Sequence, residues 1–129
     1  MPDCACVWVG DFDRAEFDSA EMRTARKSHA CGECSRTIQP HEKYEHSRQK
    51  YDGDWYLHKT CADCLSIRES FFCDGWMFGS VLDDLRGHID ALNGEVASEC
   101  LVPLTPRAHE MVCDMIEDAW EHLEDEDAP

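Results

Sequence analysis

Four cysteines fall into two pairs, Cys31-x2-Cys34 and Cys61-x2-Cys64, with 26 residues between the pairs. Each Cys-x2-Cys pair brings two sulfurs within reach of one ion. Four thiolates can close a tetrahedral zinc site with Zn–S bonds of about 2.3 Å. Such a site leaves no coordination position open, so the Zn2+ it holds is structural. A thioredoxin-like dithiol is the competing chemistry, and it fails because neither pair is set in a strand–helix–strand pattern. One alternative stays open: His58-x2-Cys61 also has ligand spacing, and His58 could replace Cys64.

Five cysteines remain of the nine: Cys4, Cys6, Cys73, Cys100 and Cys113. Cys4 and Cys6 would share one side of a strand, and His109 and Cys113 would share one face of a helix. With Cys73 and Cys100 as competing donors, these residues could hold a second metal. Their simpler role is packing, since cysteine is among the most buried residue types.

The ligands need elements to hold them. Residues 4–9 suggest a short strand, and Asp18 to Lys27 a helical turn or loop. Gly32 gives the first pair a tight turn. A strand begins at Thr37-Ile38, and another runs from Lys43 towards Lys50. Asp52-Gly53 is a strong hairpin signal, with Trp55 to His58 as the return strand. Thr60 is a candidate N-cap for a helix from about Cys61 to Phe72. Trp76, Val81, Leu82, Leu85 and Ile89 point to a helix ending before Asn93-Gly94. Thr105-Pro106 opens the clearest helix, with Thr as N-cap and Pro at the first helical position. Its apolar stripe comprises Ala108, Met111, Val112, Met115, Ile116, Ala119, Trp120 and Leu123, and core packing is its expected role. The 124–127 run forms an acidic tail.

The order of turn, hairpin and helix across residues 30–64 resembles the treble-clef zinc finger. The resemblance implies a fixed site and a local fold, and no particular activity. His58 with Cys31, Cys34 and Cys61 also resembles the first finger of a LIM domain, but the second finger would need a ligand where Ile67 stands. A RING domain would need a further Cys just before the His and a later Cys-x2-Cys. HNH nucleases share the treble clef. His46 could be their first His, but Leu65 to Ser70 supply neither the Asn nor the His such a helix needs. Ala25-Arg26-Lys27 ahead of the first pair is one of several features that resemble small phage and prophage proteins. The others are Ile38-x-Pro40-x-Glu42-x-Tyr44, Asp52-Gly53-x-Trp55 and Lys59-Thr60-Cys61.

The expected fold is α+β in one domain over 1–129: a finger module at 30–72 packed against an acidic helical subdomain at 73–129. The chain has 129 residues, 43% of them hydrophobic, which suits one modest core. Lys and Arg number 12 and Asp and Glu 28, for a net charge of −16. Residues 71–129 carry −13 of it, with Arg86 and Arg107 as their only Lys or Arg residues. This balance predicts repulsion from nucleic acid and anionic lipid and attraction to a basic protein surface. Arg23, Arg26, Lys27, Lys43, Arg48, Lys50 and Lys59 do gather around the finger with Tyr44, Tyr51, Trp55 and Tyr56. There is no phosphate loop and no nucleophile or metalloprotease motif. No apolar run approaches a membrane span, and the amino terminus has no secretory pattern, so a cytoplasmic location is expected (the host cytoplasm, if phage-encoded).

The expected function is non-enzymatic: a zinc-stabilised protein–protein interaction module, as in a phage-type inhibitor occupying a basic, nucleic-acid-binding surface of a host protein. The alternatives are a transcription or replication accessory protein that touches nucleic acid through the finger, and an HNH-like nuclease relic.

Overall fold

The computed structural model describes Val7, residues 17–73 and residues 75–126. Cys4, Cys6 and most of the expected strand at 4–9 lie outside the described residues, as do the side chains of the acidic tail.

Among the described residues, five strands and three α-helices make a mixed α/β fold. Strand β1 (Phe17–Thr24), β4 (Lys43–Tyr51) and β5 (Asp54–Cys61) form an antiparallel sheet in the order β1-β4-β5. Asp52 and Gly53 turn the β4–β5 hairpin with φ of 51° and 84°, the paired left-handed backbone that Asp-Gly favours. β1 corrects the expectation of a helical turn or loop over 18–27. It is held by an eight-residue register against β4, from Phe17–Lys50 to Thr24–Lys43. Its side chains are largely exposed, so the strand carries no apolar alternation.

Two short strands, β2 (His29–Ala30) and β3 (Thr37–Ile38), pair antiparallel and bracket the first cysteine pair. Helix α1 (Ala62–Phe71) follows β5 directly. Its N-cap is Cys61 and not Thr60, with the Cys61 sulfur accepting the Cys64 N–H at 3.5 Å. Helix α2 (Val81–Ala91) begins later than the apolar spacing suggested and excludes Trp76. Asn93 and Gly94 then follow at φ of 58° and 76°. Helix α3 (Pro106–Glu126) starts as its sequence dictates, with Thr105 Oγ1 accepting the Ala108 N–H at 3.3 Å. Its apolar stripe is buried at Ala108, Val112, Met115, Ile116 and Ala119, but Trp120 is half exposed.

The main core is built by helices. Ile67 and Phe71 of α1, Val81, Leu85 and Ile89 of α2, and Val112 of α3 are almost fully buried together. Each contributes about 1.5–3 kcal/mol relative to exposure. Val7 joins them and donates its N–H to the Phe71 carbonyl at 2.9 Å. A second cluster packs Ala25, Ile38 and Tyr44 around Cys31, Cys61 and Cys64.

The helices lie on one face of the sheet. Arg68 of α1 pairs with Glu45 of β4 at 2.5 Å, both buried, and its guanidinium lies 3.9 Å from the Trp76 ring centre. Ser47 also donates to Glu45 at 3.0 Å. Truncating one partner of such a buried pair strands the other charge, at a cost of about 3–5 kcal/mol.

Candidate metal centre

The sulfurs of Cys31, Cys34, Cys61 and Cys64 all lie within 4.8 Å of one another. Cys34 and Cys61 sulfurs are 3.8 Å apart, and a tetrahedron with 2.3 Å Zn–S bonds has edges of about 3.8 Å. Cys31, Cys61 and Cys64 are buried, and Cys34 is partly open. The donor set therefore fits zinc in number, element and spacing. Among the described residues it is the one group of three or more candidate ligands that converge.

Each ligand is placed by its own local structure. The first pair sits in the turn between β2 and β3, closed by the Ser35 N–H on the Cys31 carbonyl at 3.0 Å and the Cys31 N–H on the Arg36 carbonyl at 2.9 Å. The left-handed residue is Ser35, at φ 66°, and not Gly32 as the sequence suggested. Gly32 instead donates its N–H to the Lys59 carbonyl at 2.8 Å, which ties the turn to β5. Cys61 ends β5, and Cys64 lies in the first turn of α1, where the helix dipole favours thiolates.

The close sulfurs divide their protons unevenly. Cys31 Sγ accepts the N–H groups of Glu33 and Cys61, each at 3.4 Å. Hydrogen bonds from Cys61 and Cys64 hold the Cys31 thiol far below its ordinary range. Cys61 is pushed up to about 11 by its bond to Cys31, and Cys64 rises for the same reason. Sulfurs this close cannot all ionise by themselves, and a dication removes that conflict.

Around the sulfurs lies a polar shell. Asp63 accepts from Arg36 at 2.9 Å, Arg107 at 3.3 Å and Thr105 Oγ1 at 2.6 Å. Burial opposes ionisation of Asp63, yet the bonds from Thr105, Arg36 and Arg107 bring its carboxyl below the usual range. Arg107 also donates to Cys34 Sγ at 3.5 Å. Glu33, inside the first turn, accepts the N–H groups of Gly79 and Val81 at 2.9 and 3.2 Å. It thereby serves the start of α2, whose N-cap Ser80 makes no side-chain bond. Burial raises the Glu33 carboxyl despite those two donors.

His58 is not among the ligands. It lies three residues before Cys61 on a strand, so it faces the opposite side of the sheet. There it stacks on Phe78 with ring centres 4.1 Å apart and planes 2° from parallel. Burial lowers its pKa. His46 is also buried, with its pKa lowered chiefly by desolvation. His41 is exposed, whereas His29 is partly covered beside Tyr44 and 3.0 Å from Lys59 Nζ.

The second-metal expectation meets a correction. Cys73 and Cys100 each enter a disulfide, so neither offers a thiolate to a metal or packs as a free thiol. Ser70 Oγ donates to the Cys100 carbonyl at 2.7 Å, bringing η1 (Ser98–Cys100) against the end of α1. His109 and Cys113 do meet, at 3.6 Å, as one-turn neighbours, and Cys4 and Cys6 lie outside the described residues. Sequence reasoning also missed Glu33, Asp63 and Arg107 around the metal centre. The signal present for Asp63 was its place between Cys61 and Cys64, but nothing local pairs it with residues 42 and 44 positions away.

Comparison of the chain with known protein families, curated proteins and solved structures finds no match. Among the described residues, no helix is long and apolar enough to cross a membrane.

Proposed function

We propose that the protein is a zinc-stabilised interaction module in which the metal is structural and the acidic helical half docks on a basic protein surface. The observation that carries the reading is the closed cysteine cluster. Its four sulfurs come from a turn, a strand end and a helix start, and Arg107 and Glu33 link that cluster to α3 and α2. A metal so enclosed by thiolates has no position for substrate, and its role is to hold a scaffold. The succession of a cysteine turn, the β4–β5 hairpin and α1 supports a treble-clef-like arrangement over residues 30–64.

Helix α3 supports the choice of docking face. While most of its apolar stripe is buried, Glu110, Asp114, Glu117, Asp118 and Glu121 are exposed. Asp118 is the one of these that meets a cation, Arg86 at 3.3 Å, and both members of that pair are half exposed. In this reading the acidic face occupies a basic groove that otherwise holds nucleic acid, as an inhibitor of phage type would.

The test is affinity capture on the immobilised protein from bacterial lysate, eluted in salt steps, beside a variant carrying Glu110→Lys, Asp114→Lys and Glu117→Lys. The expected result is a basic partner retained by the wild type, released as salt rises, and lost from the variant while its zinc content and melting are unchanged. Equal retention by the reversed variant overturns the reading.

A further inference from the structure

Opposite the helices, the sheet presents a face of contrary charge. The register places Lys50 with Trp55, Arg48 with Leu57, and His46 with Lys59 in three successive rows of β4 and β5. β1 adds Ser19 beside Arg48, Glu21 beside His46 and Arg23 beside Tyr44. Facing residues in an antiparallel pair share one side of the sheet, and this side points away from α1, because Glu45 and His58 of the alternate rows take the contacts with Arg68 and Phe78. Glu21 is the one carboxylate among the described residues of these rows, and Arg23 already engages it at 2.5 Å.

The same face runs on towards the cysteine turn. There, a cleft of about 1020 Å3 is lined by Arg23, Arg26, Lys27, His29, His41 and Tyr44. Together, Arg23, Arg26, Lys27, Arg48, Lys50 and Lys59 are half of the chain's 12 Lys and Arg residues. At the far end, Trp55 is 53% and Leu57 60% exposed, and the Arg48 guanidinium and Lys50 ammonium lie 5.5 and 5.8 Å from the Trp55 ring centre.

We infer that this face of the β1-β4-β5 sheet binds single-stranded nucleic acid, with the cations along the backbone and the Trp55 indole against a base. The pattern of a basic track with an exposed aromatic side chain is what unstacked strands require. A duplex keeps its base faces stacked inside and could use only the cations. From Trp55 to Cys61 the strand rises about 20 Å, enough for several nucleotides. The net charge of −16 opposes a polyanion as a whole. However, the acids of α3 lie behind a helical layer about 10 Å thick, and screening at physiological salt acts over about 8 Å. The inference is independent of the acidic-face reading, since it uses the other side of the molecule.

The experiment is fluorescence anisotropy of labelled dT12 titrated with the zinc-loaded full chain, beside the same-length duplex and heparin. Saturable dT12 binding is expected, tighter than to the duplex, with a log–log salt slope of about −2 to −3 for three or four phosphate contacts. Trp55→Ala should weaken it about 5- to 150-fold, the range for losing one stacked base, with zinc content and far-UV circular dichroism unchanged. Arg48→Gln with Lys50→Gln should flatten the slope by about 1.4. The triple reversal in α3 should leave dT12 binding intact or tighter. The inference is overturned by absent dT12 binding at 50 mM salt, by duplex or heparin binding without dT12 preference, or by a Trp55→Ala variant that binds like wild type. Loss of dT12 binding in the α3 variant would overturn it as well, because the two faces would then not be separate.

Discussion

Arg107, in the first turn of α3, donates to the sulfur of Cys34, 73 positions earlier in the chain, at 3.5 Å. The same guanidinium nitrogen reaches Asp63 at 3.3 Å. Cys34 and Asp63 together raise the pKa of Arg107. The carboxy-terminal helix is thus joined to the cysteine cluster by charge as well as to α1 by its apolar stripe. Loss of the metal should therefore be felt in α3, although α3 supplies no ligand and starts more than 40 residues after the last one.

Zinc analysis should give one tightly held ion per chain. Cys31→Ser or Cys64→Ser should remove it and lower the stability by several kcal/mol, because metal binding in such sites is folding free energy. His58→Ala should keep its zinc, as that ring stacks on Phe78. Full zinc and unchanged melting in either cysteine variant would refute the assignment. Falling pH should release the ion, since the ligands bind as thiolates.

Asp63→Asn tests the polar shell. The Asp63 carboxyl is lowered on folding, with burial opposing and the donors Thr105, Arg36 and Arg107 prevailing. The sign follows: its ionised form stabilises the fold above the unfolded value of about 3.9, and that stabilisation fades as pH falls through the lower folded value. The variant should lose about 1–3 kcal/mol at pH 7, and its deficit in urea unfolding should shrink below about pH 4. A deficit that stays constant across that range would show that the ion pairs contribute nothing.

Gly94→Ala tests the end of α2. Gly94 has φ of 76°, and a Cβ there would meet Trp120 Nε1 at 2.6 Å and Cδ1 at 2.7 Å. The ring is half exposed and can move, so the backbone cost should dominate, at about 1–3 kcal/mol. Measured beside Trp120→Ala, the double variant should recover only the steric part. A melting temperature equal to wild type would show that the turn is not constrained as described.

Several features were legible because they are local. Two Cys-x2-Cys pairs carry their metal chemistry within four residues each, Asp52-Gly53 carries its own backbone preference, and Thr105-Pro106 carries a cap and a fixed φ. The α3 stripe was legible too, since burial of one helical face repeats every turn. Trp120 departs from it because its ring lies against Gly94 at the rim of the core.

Sequence by itself determined the donor set, the hairpin and the start of α3, since each depends on bonds within a few residues. Tertiary structure alone decided that 17–24 is a strand, because its pairing with β4 uses backbone groups that every residue possesses. It decided that His58 turns away from the cysteine cluster, because the pleat sets side chains three apart on opposite faces. It also decided that Cys73 and Cys100 each enter a disulfide, that Arg68 meets Glu45, and that four scattered cations, Arg23, Arg48, Lys50 and Lys59, share one face of the sheet. The physical reason is common to all of these. Register and packing choose partners across tens of residues, and residue type alone leaves that choice open.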